Sequence, residues 1–172
     1  LRVRAENLAQ LRAVIARSPV DPALLREVRR RIEAFPGEPR VIFRSSTNAE
    51  DLPGFTGAGL YRSVVVSGGA SDAELADALR EVWASVWLSG AYEERDWYRI
   101  DHREVAMAVL VQPFVDGAIA NGVAITANPF YEARPGYFVN AQALGGSVTG
   151  AAGDEIPEQH LIYTYADDGP EL

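Results

Sequence analysis

"VIFRSSTNAEDLPGFTGAGLY", residues 41–61, decides how the rest of the chain is read. It opens on Val41, Ile42 and Phe43, a run of β-forming apolar residues, and then delivers Arg44 with the hydroxyls of Ser45, Ser46 and Thr47. The acidic pair Glu50 and Asp51 follows, and then Pro53, Gly54, Gly57 and Gly59 set among aromatic and apolar residues. A short strand thus places one cation and three hydroxyls at the foot of a glycine-rich loop. Arginine offers a planar fork of donors that matches phosphate oxygens, and hydroxyls add neutral donors. Glycines permit positive φ and the close backbone approach that a phosphate-covering loop needs. Two plainer readings stand beside this one: Arg44 pairs with Glu50 or Asp51 and pins the loop, or the glycines serve an ordinary tight connection. The spacing matches neither the dinucleotide fingerprint nor the lysine-bearing P-loop.

Upstream, Leu8, Leu11 and Ile15 keep helical spacing over residues 3–17, and Leu24, Val28 and Ile32 form the stripe of a second helix capped by Asp21 and Pro22. Arg29, Arg30 and Arg31 read as its solvated face. Downstream, "LYRSVVV" reads as a strand, and Ser71 with Glu74 predicts a capping box for a helix running through Trp87, with Leu75, Leu79, Val82 and Val86 on one side. "SGAYEERDWYRI" adds a helical piece. "VAMAVLVQPFV" is a strand stopped by Pro113. "NGVAITANP" carries an Asn-Gly turn signal and then a strand, and "GYFVNAQ" and "HLIYTYA" bring the total to at least five. The pattern predicts an α+β fold with a mixed, mostly antiparallel sheet flanked by helices, two strands pairing through a hairpin at "PFVDGAIANG". A nucleotide would sit between sheet layers.

The totals bound what the chain can do. It has 172 residues, 48% of them hydrophobic, with mean hydropathy −0.07. That suits one compact domain or a large piece of one. No apolar run approaches a membrane span, and the opening residues lack a signal-peptide pattern. The chain begins without Met inside a helical pattern and is expected to be an excised piece of a longer protein. Cysteine is absent, which excludes disulfides and cysteine-ligated zinc within the chain and agrees with a cytoplasmic setting. Net charge −8 and pI near 4.8 argue against nucleic acid. All 16 basic residues are arginine, so a phosphate-binding lysine must come from outside the chain or be replaced by arginine.

Other candidates are the segment Gln112, Pro113, Phe114 and Val115, which could present backbone groups to an adenine edge or simply turn a corner. Trp83, Trp87 and Trp97 read as core residues, and His102 as a surface-loop histidine. There is no nucleophile elbow and no recognisable triad.

Taken together and in order, "RSSTNAEDLPGFTGAGLY", "VWASVW", "VAMAVLVQPFV", "NGVAITANP" and "GYFVNAQ" resemble the nucleotide-binding domain of the phosphoenolpyruvate synthase and pyruvate phosphate dikinase family. "NAEDLPGFTGAGLYRSV" looks closer still to the glucan water dikinase branch. The resemblance runs from about residue 38 to 163. It divides the chain into an N-terminal helical segment, 1–37, and the central part of the domain, 38–172, truncated at both ends. It implies an ATP-grasp-like fold binding ATP with Mg²⁺, in a kinase-type phosphotransferase that phosphorylates a histidine on a separate swivelling domain for transfer to pyruvate, a glucan or another acceptor. In that family's pattern Arg44 holds ATP phosphates and is the principal catalytic cation. Ser45 and Ser46 match its hydroxyls, Gly57 the glycine of the covering loop, and Gln112, Pro113, Phe114 and Val115 the segment lining the adenine. The chain departs from the pattern in lacking the glycine-rich lysine segment and the downstream metal and γ-phosphate residues, so metal ligands are expected outside it. Gly145 and Gly146 stand where relatives commonly read Gly-Glu. The piece alone is therefore expected to be inactive, and a degenerate, non-catalytic module of the same fold is the alternative.

Overall fold

A computed structural model describes residues 2–57, 59–131, 133–143 and 157–164. The fold is α+β, and every strand pairing among the described residues is antiparallel. The chain divides into two compact units, residues 1–116 and 117–172.

Helix α1 (Arg2–Arg17) turns Leu8 inward and leaves Leu11 exposed, and the Arg12 guanidinium donates to the Trp87 carbonyl at 2.9 Å. Helix α2 (Pro22–Glu33) starts as its sequence predicts, with the Asp21 carboxylate accepting from the Ala23 amide at 2.8 Å and Pro22 in the first turn. Ile32 is buried, and Val28 and Leu25, rather than Leu24, pack on the core. The three consecutive arginines are not equivalent. Arg30 and Arg31 grip Glu27 on the solvent side, whereas Arg29 ties α2 to the start of the next helix through Asp72 and the Ala70 carbonyl.

Strand β1 (Val41–Thr47) is the centre of the first sheet, flanked by β4 (Val64–Val66) and β5 (Met107–Pro113) in the order β4-β1-β5. Strands β2 (Asp51–Leu52) and β3 (Phe55–Thr56) form a small ribbon closed by Pro53 and Gly54. Gly54 has φ 77°, the conformation a type II turn demands after proline. Helix α3 (Asp72–Ala84) carries the full Ser71/Glu74 capping box and buries Leu75, Leu79 and Val82. It gives way at Ser85 to one 3₁₀ turn (Ser85–Trp87), where the Ser85 hydroxyl donates to the Val82 carbonyl at 2.6 Å. Helix α4 (Ser89–Trp97) follows. The core lies between one face of the sheet and helices α2 and α3. Val41 and Phe43 are wholly buried in it, with Val109, Val111 and Met107 packed alongside. Trp83 also packs there, but Trp97 is 81% exposed and is not a core residue.

The second unit contains β6 (Ala120–Ile125), β7 (Gly136–Ala143) and β8 (Glu158–Tyr163), in the order β6-β7-β8. Two expectations are corrected here. The strands on either side of "PFVDGAIANG" do not pair: β5 takes β1 as its partner and β6 takes β7. The Asn-Gly pair is not a turn either, because Asn121 and Gly122 lie inside β6. Gly122 is there for space, since a Cβ would lie 2.6 Å from the Asn140 carbonyl oxygen on β7. Gly145 and Gly146 lie outside the described residues.

Replacing Phe43 by alanine opens a cavity at the only point where β1 faces helix α3 with an aromatic ring. We expect a loss of about 3–5 kcal/mol in stability, read from urea unfolding of the two proteins.

Candidate functional site

Register decides which way the Arg-Ser-Ser side chains point. In the β1–β5 ladder Arg44 stands opposite Leu110, Ser45 opposite Val109 and Ser46 opposite Ala108. Side chains alternate along a strand, and directly opposed residues share a face. Val41, Phe43 and Ser45 therefore turn toward the helices together with Val109 and Val111. Ile42, Arg44 and Ser46 turn to the other face together with Gln112, Leu110 and Ala108. That second face is open: Arg44 and Ser46 are exposed, and Leu110 is 54% exposed. So the structure brings Arg44, Ser46 and Gln112 together on one surface and places Ser45 on the opposite side.

Among the described side chains Arg44 has neither an ion pair nor a hydrogen bond, Glu50 included, and the Asp51 side chain lies outside them. Several other surface cations of the unit are engaged, for example Arg62 with Glu81 and Arg103 with Asp101, and what sets Arg44 apart from the equally unengaged Arg17, Arg26 and Arg99 is its place on the sheet face. Asp101 is held down to about 2 by the Arg103 hydrogen bond. A guanidinium without a partner among the described side chains, on an exposed sheet face, is available to an anion.

The outer edge of β5 supplies a second feature. At the two ends of the ladder Asn48 donates to the Ala106 carbonyl at 3.4 Å and Phe114 to the Arg40 carbonyl at 2.8 Å. Bonded and non-bonded pairs alternate in an antiparallel ladder. The even-numbered residues of β5 therefore direct their backbone groups to β1, and the odd-numbered ones direct theirs outward. No described strand pairs with that outer edge. Pro113 occupies an outward position, where its missing N–H is not needed by the ladder. Its carbonyl and the N–H of Val115 are consequently an acceptor and a donor aimed at open space. The segment is held at its root: the Arg40 guanidinium lies over the Phe114 ring, 4.7 Å from its centre, and ion-pairs with Asp116.

The glycine-rich loop is compact. Gly57 donates to the Glu50 carbonyl at 2.7 Å and accepts from Leu60 at 3.1 Å. A Cβ at Gly57 would meet the Glu50 Cα at 3.1 Å, the Ala49 oxygen at 3.2 Å and the Tyr61 ring at 3.2 Å. The need at Gly57 is thus close backbone approach, while Gly54 and Gly59 supply the positive φ. The loop rests on α4 and the residue that caps its C-terminus. Phe55 meets the Tyr98 ring edge-on at 5.2 Å, and the Tyr61 hydroxyl accepts from Arg95 at 3.1 Å.

Arg95 escapes a reading of the sequence, and the expectation for His102 is corrected. His102 is not a surface histidine: its side chain is 18% exposed, stacked on Tyr92 at 3.9 Å, with Nδ1 facing the Arg95 Nε at 3.4 Å. The one signal in the sequence was their seven-residue separation across a helix end, which by itself specifies nothing. An apolar groove of about 570 Å³ lies on the helix side of β5, lined by Val28, Ile32, Phe35, Val109 and Val111. Its charged residues, Glu27 and Arg31, already pair with each other, so the open sheet face is the better candidate site.

Comparison with known proteins identifies the kind of domain. Residues 3–160 match the model of the pyruvate phosphate dikinase AMP/ATP-binding domain. A phosphoenolpyruvate synthase of Aeropyrum pernix is 35% identical over 124 residues, 69% of this chain and 15% of that protein. A probable phosphoenolpyruvate synthase of Staphylothermus marinus is 29% identical over 169 residues, 94% of this chain and 20% of its own length. A rifampicin phosphotransferase of Bacillus cereus is 26% identical over 161 residues, 89% of this chain and 18% of that protein. The chain thus spans a fifth or less of each of these relatives.

The His102 imidazole gives the unit a pH dependence. Burial first, and then the Arg95 cation, hold it below its usual value of 6.5. The unfolded chain therefore takes up this proton at a higher pH than the folded one. Its contribution to stability is complete above about pH 6.5 and is lost as the pH falls through the lower, native value. Thermal melts at about pH 7.5 and about pH 5.5 should show a drop that shrinks in His102→Gln.

Proposed function

The chain belongs to the family of the pyruvate phosphate dikinase AMP/ATP-binding domain, and on that premise we propose that it is the ATP-binding part of a multidomain phosphotransferase. The observation that carries the reading is the placement of an arginine with no partner among the described side chains, and of an open backbone donor–acceptor pair, on and just beyond one strand ladder. Adenine offers an exocyclic amine beside a ring nitrogen, a donor next to an acceptor. The Pro113 carbonyl and the Val115 N–H are complementary to that pair. From Val115 to Leu110, the residue facing Arg44, β5 advances five residues, about 17 Å, a span suited to an extended nucleoside triphosphate. The nucleotide would lie along the open face, its base at the edge of β5, Ile42, Leu110 and Gln112 beneath it, and its phosphates at Arg44 and Ser46. The loop carrying Gly57 would cover the phosphates. Ser45 would support the strand from the core side and touch no phosphate.

Phosphoryl transfer asks the protein for positioning and for neutralisation of spreading negative charge. Arg44 would supply that charge locally. Mg²⁺ would arrive with the nucleotide's phosphates, and among the described residues no three His, Cys, Asp or Glu side chains are grouped to hold it. In the longer parent, the phosphoryl group would pass from ATP to a histidine on a separate swivelling domain and on to an acceptor chosen by a further domain, the ATP-grasp-like scheme of a dikinase. No described helix is long and apolar enough to cross a membrane, and we place the parent in the cytoplasm.

Calorimetric titration of the chain with ATP and Mg²⁺ should give a Kd near or below about 1 mM. Arg44→Ala should weaken ATP roughly tenfold or more and adenosine hardly at all, since a charged hydrogen bond contributes about 1.5–3 kcal/mol. Val115→Pro removes the outward N–H without touching the ladder to β1 and should weaken adenosine and ATP alike. If the chain and the longer parent both bind no ATP, the non-catalytic module is the correct reading.

A further inference from the structure

Arg95 is wholly buried, yet among the described residues it meets no carboxylate. Its guanidinium donates to the Val86 carbonyl at 2.6 Å, to the Tyr61 hydroxyl at 3.1 Å and, at 3.4 Å, toward His102 Nδ1. All three acceptors are neutral. Desolvating a guanidinium is expensive, and a buried cation is normally offset by an anion or coupled to something else it does. The adjacent Asp96 stands 3.9 Å from His102 Nε2 and pairs with Arg4. Among the described residues the buried His102 Nε2 atom has no hydrogen-bond partner.

What Arg95 does reach is the glycine-rich loop. The Tyr61 hydroxyl that accepts from Arg95 approaches the Ala49 carbonyl at 3.4 Å, and the Tyr61 ring packs against the backbone at Gly57. The Gly57 amide in turn bonds to Glu50. One continuous path therefore runs from the 3₁₀ turn through Arg95 and Tyr61 to the two backbone segments that define the loop's shape.

We propose that Arg95 is a positioning residue for the phosphate-covering loop, acting through Tyr61 to hold the Ala49–Glu50 and Gly57 backbones in their closed arrangement. The inference rests on the nucleotide reading above for the loop's ligand, while the anchoring itself is a property of the free protein. The cation also leaves positive charge beneath the loop in a low-dielectric setting, which favours an anion over it. Its effect belongs to the phosphate end of the site and leaves the adenine edge on β5 alone.

The test uses Tyr61→Phe, which removes a single hydroxyl and keeps the ring, and Arg95→Met, which keeps the bulk and removes the donors. Amide hydrogen exchange of the free chain should show Gly57 and Leu60 exchanging at least about tenfold faster in Tyr61→Phe, with the amides of α3 unchanged. ATP and inorganic triphosphate should bind about tenfold more weakly, and adenosine as before. The double variant should lose no more ATP affinity than Arg95→Met alone, because both changes break one path. Unchanged exchange at Gly57 in both variants overturns the anchoring, whatever the nucleotides do. Equal weakening of ATP and adenosine overturns the positioning role in favour of a general structural one. Faster loop exchange where neither the chain nor the longer parent binds ATP leaves the anchor standing and overturns both the nucleotide reading and the loop's phosphate role.

Discussion

The seven-pair ladder between Val41–Thr47 and Met107–Pro113 is the constraint on which the first unit depends. It joins segments some sixty residues apart in the sequence and assigns every side chain of β1 to one of two faces. A one-residue slip would invert that assignment, moving Phe43 out of the core and Arg44 into it. Burying an unpaired guanidinium is far more costly than exposing one, so the register that buries Val41 and Phe43 is the same one that leaves Arg44 in the open. Core packing and the candidate site are two consequences of one pairing.

The same ladder creates an edge. Unpaired strand edges are a hazard that proteins cover or interrupt, and here Pro113 interrupts this one without disturbing the pairing to β1. Arg40 braces the end of the strand from the neighbouring chain segment: its carbonyl takes the Phe114 amide, its guanidinium lies over the Phe114 ring, and Asp116 completes the clamp. Rigid backbone groups offered at a braced edge suit recognition of a flat, polar-edged molecule. They add no nucleophile, in keeping with a domain whose work is to hold a phosphorylated ligand.

The loop depends on a different balance. Its glycines divide the task, Gly57 permitting contact between backbones and Gly54 and Gly59 permitting reversal of the chain. Such a loop has little side-chain surface of its own to bury, so its order must be borrowed from what lies beneath. Phe55 against Tyr98 provides the apolar part, and Tyr61 on Arg95 the polar part. Histidine 102, stacked on Tyr92 and facing Arg95, makes this platform sensitive to protonation as well.

Local chemistry was legible in the sequence because it acts over a few residues. The Asp21 and Ser71 caps, the buried stripe of α3, the strand before Arg44 and the α+β class all follow from side chains reaching their own backbone or from periodicity. The family was legible too, as five motifs in a fixed order. Signals that look local but answer to distant partners misled: Asn121-Gly122 is a strand position shaped by β7, and "PFVDGAIANG" joins strands of different sheets. Likewise Ser45 and Ser46, neighbours in one strand, must face opposite ways, but only the packing of the sheet on its helices decides that Ser45 is the one turned toward them. By itself, then, the sequence determined the caps of α2 and α3, the strand before Arg44 and the α+β class. Tertiary structure alone decided which candidate site residues share a face, which backbone groups stay free on β5, and that Arg95 lies buried under the loop, because each of these is set by long-range register and by the cost of desolvating polar groups.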